Sequence, residues 1–234
     1  MKPWTLLSES LTPEGQPLTL HRRNGIYLIR VRGQDLMGSR DHGSEEDMAK
    51  VAHTPRRPGA EVMVGGLGMG FTARAVLNEI RADGKVLVVE LSETVVEWNR
   101  HLLGGLADKP LEDPRLTLQI ADVFDVIAQN PGRFDSILLD VDNGPIAMTQ
   151  WANRDLYTVN GLKYARRALR PGGSLVVWSV HGSSSFERRM ELAGFAVEVY
   201  KVRPRDRYGG PRHTLFVGRT PPPGYVRPPK VNLD

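Results

Sequence analysis

From Glu61 onward, short apolar runs alternate with stretches of helical period. "EVMV", "KVLVVE", "RLTLQI", "SILLD" and "SLVVWS" have the continuous apolar character of strands buried on both faces of a parallel sheet. Between them, "TARAVLNEIRAD", "SETVVEWNRHLL", "VFDVIAQN" and "RDLYTVNGLKYARRALR" carry apolar residues at helical spacing. Strand and helix in alternation predict a doubly wound α/β sheet. "GFAVEVYKV" and "RHTLFVGR" follow with no long helix between them, which predicts an antiparallel hairpin closing that sheet.

The first fifty or so residues follow a different rule. In "LTLHRRNGIYLIRVRGQDLMGS", Leu18 and Leu20 share a face before Asn24-Gly25, and Tyr27, Ile29 and Val31 share one after it. Asn-Gly between strand-like runs predicts a type I′ hairpin, because both turn positions need positive φ. Ile26 and Leu28 make part of the second strand apolar on its other face too. A short helix is expected over "SEEDMAKVA", capped by Ser44 with acids in its first turn. The chain thus divides into a β-hairpin extension with a short helix (1–55), an α/β domain (56–220) and a Pro-rich tail (221–234), read as an extended arm or disordered.

Composition narrows the class only a little. With 40% hydrophobic and 25% charged residues in 234, the chain is of the soluble globular kind, and no apolar run is long enough for a membrane span. The N-terminus has no secretory-signal pattern, and there is no cysteine; together these point to a cytoplasmic protein. The net charge of +4 owes much to "YKVRPRDRYGGPRH", which reads as a solvated loop between strands more readily than as a nucleic-acid patch. No two of His42, His181 and His213 stand four residues apart, so no metal site is expected.

Candidate chemistry sits at the ends of the strands. "VMVGGLGMGFTAR" places Gly66, Gly68 and Gly70 between the first sheet strand and its helix, where a ligand can approach backbone amides. Glu90 ends the next strand and suits ribose hydroxyls. Asp122 ends the third, placed to accept from an adenine amino group, with Val123 beside it in the same cofactor site. Asp140 ends the fourth, in "SILLDVDNGP", with Asp142 following. Each acid alone is as well explained by a cap or a solvated turn. Four strand ends in register mark the ligand edge of an open α/β sheet. Carboxylates there are costly to desolvate unless a cation answers them.

The order of these elements resembles the spermidine synthase (aminopropyltransferase) family. "GLGMGFTAR" is similar to that family's "GGGDGGTLR", "VVELSETVVEWNR" to its ribose strand and helix, and "DVDNGP" to its aspartate-rich "D-S-S-D-P-x-G-P" loop. "RGQDLMGSRDHGSEEDM" resembles the segment leading into the first helix, and "LYTVNGLKYARRALRPGGSLVV" the helix and strand after the loop. The likeness covers roughly residues 15 to 180. It implies a Rossmann-like sheet of the S-adenosylmethionine-dependent methyltransferase type, preceded by a small β-domain. The activity implied is aminopropyl transfer from decarboxylated S-adenosylmethionine to a small cationic amine, leaving methylthioadenosine. By resemblance Asp140 orients and deprotonates the attacking amine, Tyr157 lines the acceptor site, and Asp142, Glu45 and Glu46 meet its positive charge. A homodimer is likewise implied.

Departures from the pattern keep rivals open. Met69 stands where the family has the Asp that meets the donor's amine, and Val64 where methyltransferases often carry an acid. Asp142 is one residue nearer to Asp140 than in the family's loop, and "Glu45-Glu46-Asp47" stands at its "Y-H-E". A methyltransferase using S-adenosylmethionine and leaving S-adenosylhomocysteine, on a small molecule more readily than on nucleic acid, and a non-catalytic homologue are the alternatives. Trp151 and Trp178 flank the site in sequence, as core packing or as stacking surfaces.

Overall fold

The structure, a computed structural model, describes residues 2–40, 42–52, 58–141, 155–203 and 212–221. Among these, seven strands form the larger sheet: β5 (Glu61–Gly65), β6 (Lys85–Glu90), β7 (Leu116–Ile120), β8 (Phe134–Leu139), β9 (Leu169–Ser179), β10 (Ala196–Val202) and β11 (His213–Arg219). Their order is β10-β11-β9-β8-β5-β6-β7. The pairs β5–β6, β6–β7, β5–β8 and β8–β9 are parallel, while β11 runs antiparallel to both β9 and β10. All five apolar runs and the closing hairpin form strands where the periodicity put them, but β7 is an edge strand with Thr117, Gln119 and Ile120 exposed, and so is not buried on both faces.

Both faces of the central strands β5, β6, β8 and β9 are covered, which explains their unbroken apolar runs. Val62 and Val64 of β5, Val86 and Val88 of β6 and Leu138 of β8 pack with α1 (Gly43–Val51), α2 (Phe71–Glu79) and α3 (Glu93–Trp98). Met63, Leu87, Val89, Ile137 and Leu139 point the other way, into a second cluster with α4 (Val123–Gln129), α5 (Val159–Ala168) and α6 (Ser184–Leu192). Ser183 caps α6, its hydroxyl accepting from the Phe186 amide at 3.2 Å. The sheet winds from β5 to β6 and β7 on one side, then restarts with β8 on the other. The switch point lies between β5 and β8, where such sheets open a ligand crevice.

The smaller sheet is antiparallel, β1 (Thr5–Leu11), β2 (Pro17–Arg23), β3 (Ile26–Val31) and β4 (Gln34–Gly38), in that order. Asn24 and Gly25 have φ of 50° and 80°, as the I′ hairpin requires. Leu18, Leu20 and Ile29 are buried in the first cluster, and Leu28 is buried as well. Two strands of this sheet escaped the sequence reading. β1 is an edge strand with Leu6, Leu7 and Leu11 exposed, so its alternation is blurred. β4 is reached through a second tight turn at Arg32-Gly33, where an arginine holds φ 53°. The Trp98 indole N–H donates to Ser8 Oγ at 2.9 Å, and Ser10 Oγ lies 2.9 Å from Thr94 Oγ1, joining β1 to α3. No helix among the described residues is long and apolar enough to cross a membrane.

Candidate active site

Strand β5 ends at Gly65, and the loop that follows uses positive φ at Gly66 (90°), Gly68 (51°) and Gly70 (87°). At Gly66 the need is steric as well as conformational, since a Cβ there would run into the backbone carbonyl of Asp140. Two main-chain hydrogen bonds stitch the neighbouring strand ends together, from the Asp140 amide to Gly65 O at 2.9 Å and from the Gly66 amide to Val89 O at 2.8 Å. The glycine loop, Glu90 and Asp140 therefore converge at the switch point.

Glu90 holds the loop with both oxygens. Oε2 accepts from the Leu67 amide at 2.8 Å and Oε1 from the Ser92 amide at 2.9 Å. Burial pushes its carboxyl pKa up, against those amides, which favour the charged form. The Leu91 and Gly68 amides also favour the charged form, so the carboxylate is set among backbone donors at the loop. Asn99, absent from the sequence reading, braces the loop from behind. It is buried where α3 passes into a π-helical turn (Asn99–Leu103), and its Nδ2 donates to Gly68 O at 2.8 Å and Val95 O at 2.9 Å. A polar residue inside an apolar helical pattern was the available signal.

Asp122 is the N-cap of α4, with Oδ1 accepting from the Phe124 amide at 2.6 Å. That bond leaves Oδ2 in a half-buried position at the end of β7, so capping and adenine recognition are compatible uses of one side chain. Val123 is buried, and its methyls lie close enough to Gly65 that a Cβ there would meet them at 3.0 Å.

Asp140 follows β8, half-buried, with Oδ2 accepting from the Thr72 hydroxyl at 2.7 Å. Burial raises its pKa to about 6 while the Thr72 bond opposes the rise. Glu45, on the first turn of α1, is 5% exposed. Burial and then the neighbouring Asp140 charge lift its carboxyl to about 8. Near neutrality Asp140 is thus ionised and Glu45 protonated, so the two titrate as a pair carrying one negative charge. Two acids far apart in sequence meet here because α1 packs beside α2, whose first turn supplies Thr72.

Ser44 does not cap α1. The N-cap position is His42, and Ser44 lies inside the helix, fully buried. Its Oγ is 2.6 Å from Glu45 Oε2 and 3.0 Å from His213 Nδ1, and it accepts from the Trp178 indole N–H at 3.0 Å. Tertiary partners have taken the hydroxyl that a local cap would have used. Trp178 correspondingly stands edge-on to His213, ring centroids 4.6 Å apart.

Glu46 turns outward, paired with His42 Nδ1 at 3.0 Å in a surface cleft that also involves Phe71 and Arg74. Tyr157 is 1% exposed and packs edge-on against Phe186, centroids 5.8 Å apart. Met69 and Val64 are wholly buried. Asp142, Trp151 and residues 204–211 of the basic segment lie outside the described residues.

The arrangement is a run of acceptors at the ends of β6 and β7, leading from a glycine loop to a carboxylate pair able to hold a cation and take a proton. The spermine/spermidine synthase domain matches residues 41–193. A polyamine aminopropyltransferase of Saccharolobus islandicus is 28% identical over 145 residues, covering 62% of this chain and 47% of its own length. The chain therefore spans about half of that relative. A solved spermidine synthase in complex with the transition-state analogue AdoDATO superposes with a TM-score of 0.70 at 18% identity, covering 92% of this chain and 72% of that one. The spermidine synthase of Thermotoga maritima gives 0.68 at 17% identity, with the same coverage. These two likenesses are of fold.

Proposed function

Since the chain belongs to the spermine/spermidine synthase family, we propose that it transfers an aminopropyl group from decarboxylated S-adenosylmethionine to a small cationic amine. The observation that carries this reading is the Asp140–Glu45 pair beside the glycine loop, a site that favours a cation at the point where an amine must lose a proton. The donor supplies a carbon activated by its sulfonium. The amine nitrogen forms a bond to that carbon, the carbon–sulfur bond breaks, and its electron pair stays on sulfur in methylthioadenosine. The chain's own part is to position the reactants and move one proton. Asp140, ionised near neutrality, accepts the proton of the attacking ammonium, and Thr72 keeps its carboxylate aimed. Glu45, ionising as the cation enters, answers the positive charge of the acceptor. Gly66, Gly68 and Gly70 leave room along the loop, Glu90 takes ribose hydroxyls, and Asp122 with Val123 takes the base. We assign Tyr157 and Asp142 to the acceptor side, in a cytoplasmic homodimer.

One observation favours a second reading. Met69 is wholly buried in the glycine loop, so no carboxylate is offered there to a donor amine. A methyltransferase taking S-adenosylmethionine itself would need none. Calorimetric binding of S-adenosylmethionine, its decarboxylated form and methylthioadenosine separates the two. Preference for the decarboxylated donor, followed by turnover with a diamine, is the expected result. Preference for S-adenosylmethionine would overturn aminopropyl transfer, and no binding of any of the three would remove the nucleoside site.

A further inference from the structure

The Ser44 hydroxyl has one hydrogen and two lone pairs, and it has three partners. Trp178 Nε1 can only donate, so it occupies one lone pair. One hydrogen and one lone pair remain for Glu45 Oε2 at 2.6 Å and His213 Nδ1 at 3.0 Å. Of those two, one must accept from Ser44 and the other must donate to it. When Glu45 is ionised it accepts, and His213 Nδ1 must carry a proton. When Glu45 carries its proton on Oε2 it donates, and Nδ1 must be bare, with the imidazole proton on Nε2.

We propose that Ser44 locks the protonation of Glu45 to the tautomer of His213, making His213 a positioning residue through which Glu45 loses its proton when a cation enters the site. The transfer balances. Glu45 gives its proton to Ser44 Oγ, Ser44 gives its own to His213 Nδ1, and His213 releases the Nε2 proton to water. His213 opens β11 and is half-buried, while Ser44 and Glu45 behind it are buried.

The surroundings agree. Ser44 and Glu45 face the imidazole from α1, Trp178 and His181 from the C-terminal end of β9, and Arg212 precedes it in the chain. On β10, Val202 is its register partner and Lys201 donates to the adjacent Thr214 at 2.7 Å. Burial and then His181 hold the His213 pKa below its ordinary value. A doubly protonated ring beside a protonated Glu45 would aim three donors at two lone pairs of Ser44, which disfavours the same form.

The use of this relay in turnover rests on the aminopropyl-transfer reading, but its existence is tested without turnover. The full chain, labelled with 15N-histidine and 13C-glutamate, is titrated by NMR, with His213→Phe assigning the imidazole and Glu45→Gln the carboxyl. Between about pH 7 and about pH 9 the His213 proton should move from Nε2 to Nδ1 with the midpoint of the Glu45 carboxyl. Ser44→Ala should abolish the shared midpoint. Trp178→Phe, which frees a lone pair on Ser44, should weaken it in a protein that keeps the hydroxyl. A His213 tautomer that is constant across the Glu45 titration, or a shared midpoint that survives Ser44→Ala, overturns the proposal. Adding 1,4-diaminobutane at about pH 7 should drive the same change. If the pH-driven exchange stands and the diamine has no effect, the substrate reading fails while the relay holds.

Discussion

Thr72, on the first turn of α2, donates its hydroxyl to Asp140 Oδ2 at 2.7 Å, tying the helix behind the glycine loop to the acid at the end of β8. The bond favours the ionised acid, and it opposes the burial that lifts Asp140 to about 6. Thr72→Val keeps the shape and removes the donor. The expected outcome is an Asp140 pKa raised further, by about one unit, read as an alkaline shift in the acid limb of the pH–rate profile. Folding stability should fall by about 1–3 kcal/mol at neutral pH, as a buried acceptor loses its partner.

Asp140→Asn removes the base without altering the bulk of the side chain. Turnover of a diamine should drop by about 10²–10⁴-fold, the usual contribution of a positioned general base. Calorimetric binding of methylthioadenosine should be unchanged, because the nucleoside acceptors are Glu90 and Asp122.

The buried pair makes stability depend on pH in a direction opposite to that of ordinary surface acids. Glu45 rises from its ordinary 4.5 to about 8 on folding, and Asp140 from 3.8 to about 6. Between those limits the folded state binds more protons than the unfolded state. The stabilisation is complete below the unfolded pKa and is lost as pH rises through the folded one, at up to about 1.4 kcal/mol per pH unit for each group. Urea midpoints measured across this range should therefore decline toward pH 8, and Glu45→Gln should flatten the upper part of the decline.

Gly66→Ala places a Cβ against the Asp140 carbonyl at a backbone φ of 90°. Strain and collision together should cost about 2–4 kcal/mol, measured as a lower denaturant midpoint. Methylthioadenosine affinity should fall as well, because the same shift moves the strand ends that carry the site.

Much of this protein was determined by its sequence, for a local reason. Runs such as "VLVV" in β6 and "ILL" in β8 are apolar at every position because both faces of the strand are covered, and Asn24-Gly25 tolerates the positive φ of its turn with no help from elsewhere. The acids that end β6, β7 and β8 could be named because a strand end is itself a local feature. Strands β1 and β4 were not legible, since an exposed edge carries no clean alternation and Arg32 is an unfavourable residue for positive φ. Only the tertiary structure decided what the acids of α1 do. Glu45 and Glu46 are neighbours of one charge type, yet the helix turns one into the core beside Asp140 and the other out to His42. Ser44 passed for a cap because capping is read from sequence spacing, while its three partners come from α1, β9 and β11, which meet only when the sheet is assembled. Periodicity records which face of an element is buried. It does not record which polar side chains share the burial, and in this protein that sharing sets the charge of the site.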